Sequence, residues 1–235
     1  MKLYSLCRAQ IFRRRAMTFN LVCAILCCIV VSVPAGASVD AWEGMQQSDL
    51  YYLVQVGYPF LVGMISRCVF LRIIHRNESD YTILGVMGYY HPGKKKYDTF
   101  LGYLRAELDE EGVRSRMAVS YVDYYVEELG HEAVYQDGKG CGIMKITSLP
   151  TGYPYDIKNT CEMWATDDAA AELNPESPCM IKYEQLGCTP NEKPYKRSCE
   201  VPPRTLTCDN NDPSLCMCPI GSEMEEKWLH TYSRP

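Results

Sequence analysis

The feature that most constrains this chain is a run of eight short strand-like segments between residues 51 and 165, joined mostly by brief turns. YYLVQVGY (51–58) alternates so that Tyr52, Val54, Val56 and Tyr58 share one face, and CVFLRIIH (68–75) is rich in β-branched and aromatic residues. YTILGVMGYY (81–90), YDTFLGYL (97–104), VRSRMAVSYV (113–122), HEAVYQ (131–136), CGIMKIT (141–147) and CEMWA (161–165) follow, with turn chemistry at Asn77, HPGKKK (91–96), EEG (110–112) and DGKG (137–140). In the fifth segment Val113, Met117, Val119 and Tyr121 oppose Arg114, Arg116 and Ser120, the period of a half-buried strand. Consecutive antiparallel strands in this number close most economically into an up-and-down barrel, which leaves no open edge. A two-sheet sandwich is the alternative, and spacing alone does not choose between them. DAWEGMQQSD (40–49), capped by Asp40, reads as a short helix, and a second helix reads from Asn174 and Pro175 through Cys179, Tyr183 and Leu186 to Gly187.

The compartment follows from the first residues. Arg13, Arg14 and Arg15 precede fifteen mainly apolar residues, Phe19 to Val33, and Ala35-Gly36-Ala37 then offers a small-x-small cleavage pattern. The run is shorter than the roughly 20 residues a membrane helix needs, so residues 1–37 read as a signal peptide and the mature protein as secreted, with no membrane partner. The leader holds Lys2, Arg8, Arg13, Arg14 and Arg15 of the 24 basic residues and none of the 29 acids, so its removal moves the formal charge from −5 to −10. That balance argues against nucleic acid as a partner. Asn77-Glu78-Ser79 is an N-glycosylation acceptor in the same compartment.

Four of the 13 cysteines leave with the leader. The remaining nine (Cys68, Cys141, Cys161, Cys179, Cys188, Cys199, Cys208, Cys216 and Cys218) read as a disulfide framework in an oxidising compartment rather than as a metal site. Residues 201–235, rich in Pro, Cys and charge, read as an irregular tail beyond a barrel domain at 38–200.

The ordered motifs resemble a family. DAW (40–42) before YYLV (51–54), then RCVF (67–70), GKGC (138–141), CEMW (161–164) and NPESPC (174–179), are similar to the tick salivary lipocalins, the histamine-binding protein family. The resemblance implies an all-β fold: an eight-stranded antiparallel up-and-down lipocalin barrel with a short N-terminal helix and a C-terminal helix packed outside. It also implies bridges Cys68–Cys199, Cys141–Cys179 and Cys161–Cys188, leaving Cys208, Cys216 and Cys218 unassigned.

In a strand, Glu162 and Trp164 share one face. Read from sequence alone, they fit an outward carboxylate paired with a surface base and a core indole; the resemblance instead points Glu162 inward, where it and Trp164 would form a half-site for an amine such as histamine or serotonin. The same resemblance adds Glu132, nine residues before Cys141, and Tyr58, ten before Cys68, as ligand-binding residues. It implies that His131, adjacent to Glu132, faces outward. One departure stands out: PFLVGMIS (59–66) lacks the acid and tryptophan that amine binders of the family carry there, so a leukotriene or fatty acid is an alternative guest, met by Arg72, Arg114 or Arg116 if any points inward. Binding of a host protein through surface loops or the tail is a second alternative. No catalytic motif such as GxSxG or HExxH is present, so no enzyme activity, cofactor or metal is expected, and the protein is expected to be a monomer.

Overall fold

Eight antiparallel strands, each paired with its neighbours in sequence, close on themselves in a computed structural model that describes residues 38–58, 67–121, 128–153 and 155–203. The strands are β1 (Leu50–Val56), β2 (Arg67–Asn77), β3 (Thr82–His91), β4 (Lys96–Glu107), β5 (Arg116–Tyr121), β6 (Leu129–Gln136), β7 (Cys141–Ser148) and β8 (Cys161–Thr166). Pairing of β1 with β8 completes the cylinder, so the up-and-down barrel holds and the sandwich does not. The leader at 1–37, the stretch 59–66 and the cysteines at 208, 216 and 218 lie outside the described residues. No helix among the described residues is long and apolar enough to cross a membrane.

Alternation gives the wall two apolar faces. Leu71, Ile73, Ile83, Met87, Leu104 and Met117 belong to one cluster, which fills the lumen towards the end where β1 begins. Leu50, Tyr52, Phe70, Val86, Ile143 and Met163 belong to another, on the outer side of the wall. Helix α1 (Ala41–Gly44) plugs the first end. Asp40 caps it by accepting from the Glu43 amide, Ala41 N donates to Arg114 O, and the Tyr51 hydroxyl donates to Gly44 O. Trp42 sets its ring edge-on to Tyr81, 5.4 Å away, and the Arg114 guanidinium stacks over that tyrosine.

Two helices follow β8. α2 (Asp167–Glu172) escapes the periodicity of the sequence because it is only six residues long. Its signal is local: Thr166 accepts from the Ala169 amide, and Asp167 and Asp168 favour the positive end of the helix dipole. α3 (Pro178–Gln185) begins later than the Asn174 cap predicts, because Asn174 instead closes a turn in which its own amide donates to Ser177 Oγ and the Glu176 amide donates to Asn174 Oδ1. Pro178 then takes the first helical position, where its missing N–H costs nothing.

α3 lies outside the barrel and buries Cys179 and Tyr183 fully. Cys141–Cys179 and Cys161–Cys188 tie it to β7 and β8, and Cys68–Cys199 ties the C-terminal segment to the start of β2. Each bridge restricts the unfolded chain and contributes on the order of 2–4 kcal/mol. Arg72, on the outer face of β2, donates to Pro202 O, and Tyr97 donates to Glu200 O, so the segment 189–203 is strapped along the outside.

Candidate ligand-binding site

The site begins with a bulge. Tyr51 to Leu53 pair in step with Thr166 to Trp164, but the register shifts between Leu53 and Gln55, after which Gln55 faces Met163 and Val56 faces Glu162. One extra residue reverses the parity of everything beyond it. Tyr52 and Val54 therefore join the outer cluster, whereas Val56 and Tyr58 turn to the lumen, so the four do not share the single face that strict alternation predicts.

Glu162 projects from β8 into the lumen and is 5% exposed. Its cross-strand partners are Val56 and Met144, both apolar. Leu129, Ile146 and Ile157 form a buried cluster, with Tyr58, Leu149 and Tyr153 packed against it, that covers the site from the β7–β8 side. A bare carboxylate in such surroundings is costly. Here three groups meet it: the Tyr58 hydroxyl donates to Oε1 at 2.5 Å, Trp164 Nε1 donates to Oε2 at 2.9 Å, and His131 Nε2 lies 3.4 Å from Oε2. Burial pushes the Glu162 carboxyl up, but the charge and hydrogen bond of His131 and the hydrogen bonds of Tyr58 and Trp164 outweigh it and hold the group below its ordinary range. The result is a preorganised, ionised acid inside an apolar barrel.

Trp164 is half-buried on the same face, its N–H spent on Glu162. The indole also borders a shallow recess against α1, lined by Ala41, Met45, Tyr51, Gln136 and Met144 and partly open to solvent.

Glu132 does not join them. It is exposed on the outer face of β6, across from Arg116 and Lys145, while its neighbour His131, 6% exposed, enters the lumen. The alternation of the two is as the sequence reading has it; the phase is opposite. Register decides the phase, since His131 stands across from Met117 and Ile146, both inner residues. A signal was present in the sequence: Leu129 and Ala133 are apolar in step with His131, and both are buried.

The three arginines considered for a lipid carboxylate lie elsewhere. Arg72 is under the C-terminal segment, Arg114 is over Tyr81 at the plugged end, and Arg116 is exposed. Asp137, Cys141 and Cys179 have the spacing of metal ligands, but both sulfurs are consumed in one disulfide.

A closed, eight-stranded, up-and-down barrel with a polar cluster sunk in its lumen defines a lipocalin-type barrel protein. The chain belongs to the tick histamine binding protein family, whose model matches residues 32–201. No curated protein sequence matches it. Among solved structures, the complex of AM182 with serotonin is 16% identical with a TM-score of 0.47, over 72% of this chain and 97% of that one. Insecticyanin from the tobacco hornworm Manduca sexta is 10% identical with a TM-score of 0.43, over 63% of this chain and 74% of that one. Lobster apocrustacyanin A1 is 8% identical with a TM-score of 0.37, over 67% and 85%.

Proposed function

We propose that this protein is a secreted scavenger that captures a small cationic amine, histamine or serotonin, in its barrel, by stoichiometric binding without chemistry. The observation that carries this reading is the ionised Glu162, buried in the lumen and held by Tyr58, Trp164 and His131. An ammonium entering a low-dielectric cavity needs a counter-charge, and a fixed carboxylate supplies one without reorganisation. Membership of the histamine binding family supports the same ligand class. The leader and the three disulfides support secretion into an oxidising space. The Asn77-Glu78-Ser79 acceptor at the end of β2, with Glu78 and Ser79 exposed, supports a glycan on the same reading.

A fatty acid or leukotriene fits less well, because its carboxylate would approach Glu162 while Arg72, Arg114 and Arg116 lie away from it. The test is calorimetric titration with serotonin and histamine. The wild type binds one of them, and Glu162→Gln weakens binding by about 2 kcal/mol or more, roughly thirtyfold, as expected for loss of a buried charge partner. Wild-type affinity in that variant overturns the reading.

A further inference from the structure

The imidazole of His131 is more deeply committed to the site than a structural filler requires. Its Nε2 lies 3.4 Å from Glu162 Oε2, and its Nδ1 is buried without a hydrogen-bond partner among the described residues, so Glu162 is the ring's one polar link there. Met117 of β5 and Ile146 of β7, its cross-strand partners, are apolar. Arg116, Glu132 and Lys145 on the same three strands sit one step out of phase, towards the outer face. Among the described residues the titratable groups that act on this pair are Tyr58, from the end of β1, which donates to Glu162, and Tyr183 of α3, which senses the Glu162 charge from outside the wall.

One carboxylate charge thus has two claimants. When His131 is neutral, the Tyr58 and Trp164 hydrogen bonds remain to hold the Glu162 charge, and the carboxylate is a net negative centre that attracts an ammonium. When His131 is protonated, the pair is already neutral, and an ammonium would meet an imidazolium in a medium that screens neither. We propose that the Glu162–His131 pair makes capture of a cationic guest proton-coupled: the guest and a proton on His131 exclude each other, so the protein holds the amine at neutral pH and releases it on acidification. Histidine is the side chain whose charge ordinarily changes between about pH 5 and 8, so that is the range over which the exchange is sought. The balance is one proton released to solvent when the guest binds to the protonated form, and one taken up when it leaves. The coupling presupposes the amine guest proposed above and concerns how the site lets it go.

The test uses the disulfide-bonded full chain and serotonin, whose alkylammonium stays charged through this range as a lysine does. Affinity is measured from pH 8 down to pH 5.5 for the wild type, His131→Gln and His131→Asn. In the wild type, affinity falls by up to about tenfold per pH unit on the acid side, the limit for one exchanged proton, and both variants show a flat profile. Because a variant can fail to fold, calorimetry of the wild type near pH 6.5 in buffers of different ionisation enthalpy provides a second readout, with proton release accompanying binding. Where serotonin does not bind, histamine takes its place in the same titrations, and binding of neither at pH 8 sinks the amine reading itself. Firm binding at pH 8 with a flat wild-type profile and no proton release leaves that reading intact and overturns the coupling, as does a slope that survives in folded His131→Gln.

Discussion

The Tyr58 hydroxyl donates to Glu162 Oε1 across 2.5 Å, joining the end of β1 to β8 at the seam where the barrel closes. The bond is at once part of the closure and part of the site. Tyr58→Phe removes one of the groups that keep Glu162 ionised, and a hydrogen bond to a charged group is worth about 1.5–3 kcal/mol. Unfolding by denaturant at pH 7 is expected to show a loss of that order, with the secondary structure unchanged by circular dichroism.

Glu162 also sets a pH dependence of stability. Its folded carboxyl is depressed below its ordinary value of 4.5, so its contribution is fully present above that value and is lost as pH falls through the folded one. The difference in unfolding free energy between wild type and Glu162→Gln should therefore shrink as pH falls below about 4.5. A difference that grows on acidification would mean the carboxyl is raised rather than depressed.

Glu132 and Glu162 provide a paired test of which acid faces the lumen. Glu132 is exposed on the outer wall and Glu162 is buried inside. Glu132→Gln is expected to leave serotonin or histamine affinity within about twofold of wild type, in keeping with the small worth of exposed charges. A loss matching that of Glu162→Gln would place the β6 acid in the site and reverse the register described for that strand.

Gly140 and Gly138 flank the same turn but differ in what surrounds them. At Gly140, φ is +102° and an added Cβ would lie 2.5 Å from Thr166 Oγ1, the group that caps α2; at Gly138, φ is +68° and nothing lies within 4 Å. Gly140→Ala combines backbone strain with a clash and a disturbed cap, and should cost about 2 kcal/mol or more; Gly138→Ala carries the strain alone, about 1 kcal/mol. Thermal melts of the two variants check the ordering.

Much of the fold is legible in local pattern. The eight strands, Asp40 at the start of α1 and the later end of α3 near Gly187 follow from side-chain alternation and from capping and turn residues, all of which act within a few positions. The site is legible only in part. That Glu162 and Trp164 share a face follows from their spacing, and the structure places that face in the lumen. The facings of His131 and Glu132 come out exchanged, because alternation distinguishes two faces without naming them. Val56 and Tyr58 come out on the other side from Tyr52 and Val54, because the β1 bulge inserts a residue that no local preference announces.

By itself the sequence determined how many strands form, in what order, and, away from the β1 bulge, which residues of each strand travel together. Only the closed barrel decided which of those sets looks inward. Phase is a property of cross-strand pairing: Val56 with Glu162 joins residues far apart in the chain, whose contact exists only once the cylinder has closed, and His131 with Met117 depends on the register between two neighbouring strands, which neither strand carries alone.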